Sequence, residues 1–246
     1  MTAPLIKARG RTAIVFGAAG GIGRATCALL AAAGARIAAV DRTTRGLGKA
    51  GARRLVIAAD ATDEAAVEAA FAETSRRFGA IDYAINLVGA TGQGRLDRMS
   101  LADWNGMIAV NLTSAFLVAR SAYRRLRRPG GVLILMSSTN GRVGGTQYSG
   151  AAYGAAKAGV LNLTRYLAKE WAPDGLRVNT LAPGPVDTPM LARLSAGEHA
   201  ALKAAVPLKR YAQAKEIAAA IAFLCSEHGR TMTGACFNVS GGLVLD

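Results

Sequence analysis

The sequence predicts an α/β protein, a doubly wound parallel sheet of about seven strands with helices on both faces. Short apolar runs alternate with longer alanine-rich amphipathic runs from near the start of the chain to near its end, as expected when strands alternate with crossover helices. Most of the short runs are apolar throughout, which is typical of strands covered on both faces. These two observations fix the predicted fold class.

The predicted elements occupy most of the chain. The strands are 12–16, 36–40, 54–58, 81–87, 131–137, 176–181 and 235–239. The helices are 21–33, 63–78, 101–128, 151–172 and 213–228, and Asp63 and Ser100 are the expected N-caps of the second and third. Because this single alternating series uses nearly all 246 residues, we expect one domain over residues 1–246.

Two segments interrupt the alternation. Residues 42–53 contain Gly46, Gly48 and Gly51, so the crossover expected there is short and poorly helical. Residues 183–207 form a long excursion after a strand, with proline and glycine at its borders and apolar positions inside it. Excursions of this kind often close over a ligand, and we expect residues 189–207 to form a substrate lid.

Composition bounds the class of protein. The chain is 51% hydrophobic and contains 29 glycines, which suits a globular core of small aliphatic side chains. It has no charge-free apolar run of the roughly 18 residues that suggest a membrane span. Its first residues, MTAPLIKARGR, lack the apolar core of a signal peptide. We therefore expect a cytoplasmic protein with no membrane partner.

Cysteine, histidine and charge exclude other classes. The three cysteines and two histidines are widely spaced, so neither a disulfide framework nor a metal site is expected. The formal charge of +14 favours an anionic partner without naming it. Its densest cluster is Arg124, Arg125, Arg127 and Arg128, at the end of a predicted helix, where cations meet the negative end of the helix dipole. We expect this cluster to be a solvated face or a subunit contact. No zinc-finger or RNA-binding pattern accompanies the charge, so nucleic acid is not expected as the main partner.

A glycine-rich turn follows the first strand and leads into the first helix. It reads Gly17-Ala18-Ala19-Gly20-Gly21-Ile22-Gly23. Glycines let a backbone turn tightly and approach a pyrophosphate, while the helix N-terminus offers free N–H groups and positive potential. The strand before the turn and the helix after it are the context that a dinucleotide site requires.

Two acidic residues follow the next two strands. Asp41 comes 18 residues after Gly23, where a carboxylate accepts hydrogen bonds from ribose hydroxyls and repels a 2′-phosphate. This favours NAD over NADP, although Arg42 leaves NADP open. Asp60 is placed either to reach the adenine or to cap the following helix.

Tyr153 and Lys157 lie four residues apart on a predicted helix, so their side chains share one face. A phenol with a pKa of about 10 is a poor base near neutral pH, and a neighbouring ammonium would stabilise its phenolate. The doublet Ser137-Ser138 ends the preceding strand. Together these residues indicate acid/base chemistry at a carbinol or carbonyl group.

Six motifs, in order and at familiar spacing, resemble the short-chain dehydrogenase/reductase family. They are FGAAGGIG at 16–23, NLVG at 86–89, Asn111, SS at 137–138, YGAAK at 153–157 and PGPVDTPM at 183–190. The resemblance runs from about Arg11 to the C-terminus. It implies a Rossmann-type sheet that carries cofactor and active site on one domain, and a homotetramer.

The resemblance assigns four catalytic residues. Tyr153 matches the family's acid/base, and Lys157 matches the lysine that holds the nicotinamide ribose and lowers the pKa of the tyrosine. Ser138, chosen over Ser137 because Gly141 follows it, matches the serine that hydrogen-bonds the reacting oxygen. Asn111 matches the asparagine that helps to hold a proton relay toward the lysine. Hydride would pass directly between nicotinamide C4 and the substrate carbon.

The resemblance also assigns the cofactor contacts. They are Gly17, Gly21, Ile22 and Gly23 at the pyrophosphate; Asp41 at the ribose; Asp60 at the adenine; Asn86 and Gly89 beneath the adenosine side; Tyr153 and Lys157; and Pro183, Gly184, Val186 and Thr188 at the nicotinamide side. No metal is implied.

Three positions depart from the family pattern. Phe16 replaces a usual threonine and so removes a hydroxyl that ties the glycine turn to neighbouring backbone. Leu87-Val88 replaces Asn-Ala, and Val88 is expected to narrow the adenosine shelf. The segment between Ser138 and Tyr153 is slightly longer than is common, which fits either a role in substrate choice or a tolerated insertion at the pocket rim.

Three functions stay open at this point. The first is an NAD-dependent alcohol dehydrogenase or ketoreductase acting on a small or medium secondary alcohol. The second is a 3-oxoacyl-acyl-carrier-protein reductase, which the basic surface would favour and Asp41 disfavours, because such reductases usually take NADPH. The third is a dinucleotide-sensing binding protein without catalysis. Such a protein would be expected to lack the tyrosine, the lysine or the serine, and this sequence keeps all three.

Overall fold

The computed structural model describes residues 6–92, 94–146 and 148–245, so the predictions made on the first five residues lie outside the described part. Seven parallel strands form one sheet with the order β3-β2-β1-β4-β5-β6-β9. They are β1 Thr12–Phe16, β2 Arg36–Asp41, β3 Arg54–Ala58, β4 Tyr83–Asn86, β5 Val132–Met136, β6 Arg177–Pro183 and β9 Cys236–Val239. The predicted Rossmann-type sheet is thus confirmed.

Two further strands, β7 (Val186–Asp187) and β8 (Ala212–Gln213), pair with each other outside the main sheet. They were not predicted, since two-residue strands leave no periodicity to detect. Their pairing joins the start of the excursion after β6 to the segment that precedes the last long helix. The excursion is therefore fixed at both ends.

Helices cover both faces of the sheet. The α-helices are α1 Gly21–Ala32, α2 Glu64–Phe78, α3 Leu101–Ile108, α4 Ser114–Arg125, α5 Asn140–Val143, α6 Ala151–Trp171, α7 Ala196–Ala205 and α8 Ala214–Cys225. Asp63 and Ser100 cap α2 and α3 as predicted, by accepting backbone N–H groups of the first turn. The segment 42–53 contains no helix, as its glycines predict.

The predicted continuous helix 101–128 is wrong in its middle and at its end. A π-helical turn, Ala109–Thr113, separates α3 from α4. Such turns interrupt the regular hydrogen-bond pattern without changing the side-chain composition, so the sequence gives no sign of them. The helix ends at Arg125, where Leu126 adopts extended backbone (ψ 142°) three residues before Pro129.

Alternating residues of the strands supply two cores. On one face, Ile14 and Phe16 of β1 pack with buried side chains of α2, α4 and α6. On the other face, Ala13 and Val15 pack with α1 and α8. Because both faces are covered, strands read as continuous apolar runs.

The arginine cluster at the end of α4 is largely neutralised within the chain. Arg125 pairs with Glu68, and Arg127 pairs with Asp82, which Arg11 also contacts. Asp82 is only 1% exposed and also accepts the backbone N–H of Thr12 at 2.8 Å. Asp82 and its two arginines clamp the amino-terminal edge of the sheet, and the pair of Arg125 with Glu68 joins α4 to α2, so part of the predicted solvated face serves the fold.

No helix within the described residues combines the length and the apolar character that a membrane crossing requires.

Candidate functional site

A long cleft lies at the carboxyl ends of the strands, where the strand order reverses between β1 and β4. Open parallel sheets bind their ligands at this kind of switch point. The cleft encloses about 800 Å³ and is lined by the glycine turn, the end of β2, residues 59–62 and residues 87–91. The volume of the cleft and the spread of the segments that line it suit a dinucleotide.

The glycine turn needs its glycines. Gly17 has a φ of +76°, and a Cβ there would lie 2.9 Å from the carbonyl carbon of Leu87. A Cβ on Gly23 would lie 2.1 Å from the Gly17 oxygen, and one on Gly21 would lie 2.7 Å from Cγ2 of Thr188. No side chain caps α1, so the amides of its first turn are available to an anion such as a pyrophosphate. The residues present thus fit this group.

The turn is held without the hydroxyl that Phe16 removes. The backbone N–H of Ala19 donates to Oδ2 of Asp41 at 3.0 Å, and that of Ala18 donates to the carbonyl of Val40 at 3.1 Å. Phe16 itself packs against Phe71, with ring centroids 5.5 Å apart. The carboxylate at the end of β2 therefore ties the glycine turn to its neighbour in place of the missing hydroxyl.

Asp60 and Arg42 lie beside Asp41 at one end of the cleft. Oδ1 of Asp60 accepts the backbone N–H and the hydroxyl of Thr62, each at 2.8 Å, and these bonds hold the pKa of Asp60 below its usual value. The guanidinium of Arg42 lies 3.9 Å from its other oxygen. The alternative helix-capping role of Asp60 is wrong, because Asp63 caps α2.

A smaller cavity of about 180 Å³ brings Ser138, Tyr153 and Lys157 together. It shares part of its wall with the large cleft, including Ile22, Gly89 and Thr188. The nicotinamide-side candidates Pro183, Gly184 and Val186 line it as well. The two spaces are therefore adjacent, and the three catalytic candidates line the one whose wall does not include Asp41.

Close packing places the segment after Ser138 against the helix that carries Tyr153. A Cβ on Gly141 would lie 2.6 Å from the carbonyl carbon of Lys157, so α5 and α6 approach within backbone contact. Ser137 donates its hydroxyl to the Lys157 carbonyl at 2.7 Å. Both serines of the doublet line the cavity, but the hydroxyl of Ser137 is used in this structural bond, which leaves the hydroxyl of Ser138 to interact with Tyr153.

Burial dominates the electrostatics of the pair on α6. Lys157 is 2% exposed, its ammonium donates to the Met136 carbonyl at 2.8 Å, and burial lowers its pKa to about 8. The same ammonium lies 5.7 Å from the ring centroid of Tyr153. Burial raises the pKa of Tyr153, and the hydrogen bond with Ser138 opposes this only partly. Burial is therefore the larger influence on this pKa in the protein without cofactor, and the lowering of the pKa by Lys157 stays a prediction.

Asn111 lies in the π-helical turn and is 1% exposed. Its amide donates to the carbonyls of Ala90 at 2.9 Å and Met107 at 3.0 Å, and its oxygen accepts the backbone N–H of Ala90 at 3.3 Å. A Cβ on Gly89 would lie 2.9 Å from this oxygen and 3.1 Å from Nζ of Lys157. Asn111 therefore stands directly behind the cavity wall, close to the lysine.

Asn86 is the one predicted cofactor residue that lies away from both spaces. It is buried, lines neither the cleft nor the cavity, and accepts the backbone N–H of Val88 at 3.2 Å through its side chain. It shapes the turn after β4, whose residues Val88 and Gly89 do line the cleft.

Two contributors carry no signal in the sequence. The carbonyls of Met136 and Ala90 hold Lys157 and Asn111, and backbone groups are the same whatever the side chain.

Within the described residues, no three His, Cys, Asp or Glu side chains form a group suited to a metal ion.

Comparison with known proteins identifies the family. A family model described as enoyl-(acyl carrier protein) reductase matches residues 17–244. The cis-4-hydroxycyclohexanecarboxylate dehydrogenase of Sinomonas cyclohexanicum is 40% identical over 94% of this chain and 96% of its own. The 3-oxoacyl-acyl-carrier-protein reductase FabG of Escherichia coli K12 is 36% identical over 96% of this chain and 98% of its own.

A solved structure agrees. The short-chain dehydrogenase/reductase described as a glucose/ribitol dehydrogenase from Brucella melitensis superposes with a TM-score of 0.92 at 33% identity, covering 98% of this chain and 99% of that one. The chain therefore belongs to the short-chain dehydrogenase/reductase family, oxidoreductases that use nicotinamide dinucleotides.

Proposed function

We propose that this protein is an NAD-dependent dehydrogenase and ketoreductase that interconverts a secondary alcohol and its ketone, with Tyr153 as the acid/base. The observation that carries the proposal is the grouping of Ser138, Tyr153 and Lys157 around one small cavity at the end of a dinucleotide-sized cleft. Interconversion of an alcohol and a ketone needs these proton-transfer groups and a hydride carrier side by side.

Each side chain has a defined task in alcohol oxidation. Ser138 hydrogen-bonds the substrate oxygen, and Tyr153 takes the hydroxyl proton while the C–H electron pair leaves with its hydrogen as hydride. Lys157 holds its ammonium beneath the tyrosine ring, and Asn111 positions the turn around Gly89 beside it. A bound nicotinamide dinucleotide supplies the chemistry that the side chains lack, since it accepts or donates the hydride. Reduction reverses each of these steps.

The protonation state of Tyr153 at neutral pH is the one that ketone reduction needs. Burial raises its pKa, so the hydroxyl is protonated at neutral pH and is ready to donate to a carbonyl oxygen. Oxidation requires the phenolate and becomes easier as the pH rises. Only the fraction of Lys157 that remains charged stabilises this phenolate, and burial reduces that fraction above about pH 8.

The cofactor contacts follow from the walls of the cleft. Gly17, Gly21, Ile22 and Gly23 would hold the pyrophosphate. Asp60 would contact the adenine, and Gly89, which lines both the cleft and the cavity, would lie beneath the adenosine side. Pro183, Gly184, Val186 and Thr188 would cover the nicotinamide side, together with Tyr153 and Lys157.

NAD is the proposed cofactor because of Asp41. Its carboxylate lines the cleft and is fixed by the backbone N–H groups of Ala19 and Thr43 at 3.0 and 3.2 Å. A carboxylate held there accepts ribose hydroxyls and repels a 2′-phosphate. Arg42, whose side chain is 74% exposed, is the residue that would favour NADP.

The proposed substrate is a small secondary alcohol or ketone. The cavity of about 180 Å³ is well below the 300–1,000 Å³ typical of drug-sized ligands. The relative that acts on a hydroxycyclohexanecarboxylate supports a cyclic alcohol of this size. We propose that residues 189–207 are a lid on the same single domain, since Met190, Leu191, Leu194 and Leu202 line the cavity.

The test is a panel of small cyclic and linear secondary alcohols and ketones, assayed with NAD(H) and NADP(H). We expect turnover of a ring-sized substrate with kcat/KM at least about 10-fold higher for NADH than for NADPH, and we expect Asp41→Ser to remove most of that preference. A wild-type preference for NADPH would contradict the cofactor assignment. Absence of turnover on the whole panel, with dinucleotide binding intact, would favour the non-catalytic sensing role.

A second candidate is a 3-oxoacyl-acyl-carrier-protein reductase, which the FabG relative and the matched family model favour. Acetoacetyl thioesters of acyl carrier protein and of a short thiol distinguish the two functions. A strong preference for the carrier-linked thioester with NADPH would support the reductase. Equal or slower turnover of the carrier-linked thioester than of the short-thiol ester would support the dehydrogenase.

The proposal also includes a homotetramer in the cytoplasm. The exposed aromatic side chains Phe116, Tyr123 and Tyr166 on α4 and α6 support a subunit contact. Light scattering on the purified protein tests the assembly, and a fluorescent fusion tests the location.

A further inference from the structure

The charges around the substrate cavity are one-sided. Its lining contains two cations, Lys157 and Arg193, and no Asp or Glu among the described residues. The remaining walls are mostly apolar, with Leu191, Leu194 and Leu243 among them. A cavity of this composition attracts a ligand that is apolar in its body and negative at one end.

Lys157 is not available to such a ligand. Its ammonium is buried, donates to the Met136 carbonyl at 2.8 Å and lies beneath the ring of Tyr153. Arg193 differs in position, because it lies on the exposed segment between Pro189–Leu191 and α7. The cavity therefore has its proton-transfer groups inside and a separate cation at its rim.

The guanidinium of Arg193 reaches across the mouth of the cavity. It donates from Nη2 to the carbonyl of Tyr148, which belongs to the loop on the other wall. This contact uses one of five N–H groups, and the planar fork of an arginine suits two-point binding of a carboxylate. The backbone contact holds the fork in place without neutralising its charge.

The described carboxylates leave that charge unpaired. Glu198, the nearest acid in sequence on the lid, accepts the backbone N–H and the hydroxyl of Ser195 at 2.8 and 2.9 Å in a capping box. These bonds to Ser195 hold the pKa of Glu198 below its usual value, and the charge of Arg193 contributes to this from a distance. Within the described part of the chain, no Asp or Glu lies close enough to Arg193 for a salt bridge. Its remaining donors are free to meet a ligand.

We propose that Arg193 anchors the carboxylate of a small oxo or hydroxy acid whose carbinol or carbonyl carbon lies at Ser138 and Tyr153. The apolar walls hold the hydrocarbon body between the two ends. This assignment rests on the proposed dehydrogenase function and adds the substrate class. Arg193 is a specificity-determining residue, since it touches the far end of the substrate and not the reacting atoms.

The first test is kinetic. Wild type, Arg193→Gln and Arg193→Lys are assayed on 3- and 4-oxocyclohexanecarboxylate and on the matching uncharged carboxamides. For whichever oxo acid is the better substrate of wild type, Arg193→Gln should lower kcat/KM by about 10- to 100-fold, mainly through KM. The same substitution should change kcat/KM for the matching carboxamide by less than about 3-fold. Arg193→Lys should restore part of the activity, because it keeps the charge and loses the fork. Lys203→Gln is the matched control, as it removes a cation of the same lid that does not line the cavity.

The second test needs no turnover. Calorimetric titration of the NAD-saturated enzyme with cyclohexanecarboxylate and cyclohexanecarboxamide measures binding alone. Wild type should prefer the carboxylate by at least about 10-fold, and Arg193→Gln should abolish that preference. An Arg193-dependent preference in an enzyme that reduces no panel ketone would retain the anion site and refute the proposed reaction.

Two results would overturn the assignment. An equal loss of activity on acid and carboxamide in Arg193→Gln would show that Arg193 only fastens the lid to the Tyr148 loop. Equal binding of carboxylate and carboxamide by wild type would show that the cavity has no anion site, whatever its reaction.

Discussion

The buried lysine should cost the protein stability, and replacing it should reveal how much. Burial lowers the pKa of Lys157 from 10.5 to about 8, which corresponds to about 3 kcal/mol at about 1.4 kcal/mol for each tenfold change in the protonation equilibrium. Methionine has a similar length and no charge to desolvate. Lys157→Met also removes the hydrogen bond to the Met136 carbonyl, a loss of about 1 kcal/mol. We therefore expect a net gain of about 2 kcal/mol in the free energy of unfolding near pH 7.

The pH dependence gives this prediction a signature. Between pH 8 and 10.5 the unfolded chain keeps its proton on Lys157 while the folded chain has lost it, so the stability of wild type rises with pH across this interval. The advantage of Lys157→Met should shrink over the same interval and change sign before its upper end. Above pH 10.5 only the lost hydrogen bond to the Met136 carbonyl remains, so the variant should be less stable than wild type by about 1 kcal/mol. Lys169→Met, an exposed lysine of the same helix, is the control and should show neither effect.

The assay is urea unfolding followed by circular dichroism at intervals from pH 6 to 11. A Lys157→Met variant that is less stable than wild type at pH 7, or a gain that does not change between pH 8 and 10.5, would refute the reasoning. The variant should also lose most of its activity, because the ammonium beneath Tyr153 is gone.

Three further predictions concern other parts of the molecule. Gly23→Ala should weaken NADH binding by at least about 10-fold in a fluorescence titration, because its Cβ would lie 2.1 Å from a backbone oxygen, whereas Gly197→Ala has no atom within 4 Å and should leave the affinity unchanged. Asp82→Asn should lower the free energy of unfolding by about 2 kcal/mol with little change in kcat, since the carboxylate is buried while its two arginines are about 40% exposed; a loss below about 0.5 kcal/mol would argue against the clamp. Because burial raises the pKa of Tyr153, kcat/KM for alcohol oxidation should rise through the alkaline range while that for ketone reduction falls, and a flat oxidation profile would count against this.

Much of the fold was predictable because each element has a local cause. The glycine turn, the Asp63 cap and the fully apolar strands depend on residues close in sequence, and β3 was predicted with its observed bounds. The π-helical turn around Asn111 was not predictable. Asn111 in this turn hydrogen-bonds Ala90, 21 residues away, and no periodicity records such a contact.

The site shows the same division. The spacing of Tyr153 and Lys157 predicts a shared helix face, and the structure places both on the cavity. The direction in which the pKa of Tyr153 shifts was not predictable, because it depends on how much protein covers the phenol and the ammonium. The bridge from Arg193 to Tyr148 was equally hidden, since it joins two segments whose approach only the folded chain defines.

The acid/base role of Tyr153 is tested most directly by removing its hydroxyl. We would measure kcat/KM for ketone reduction and alcohol oxidation by Tyr153→Phe, with NADH affinity determined separately and Tyr166→Phe, an exposed tyrosine of the same helix, as the control. The account predicts a loss of at least about 100-fold in both directions with NADH affinity retained, the size expected when a general acid/base is lost. Turnover by Tyr153→Phe within about 3-fold of wild type, with Tyr166→Phe also unaffected, would contradict it.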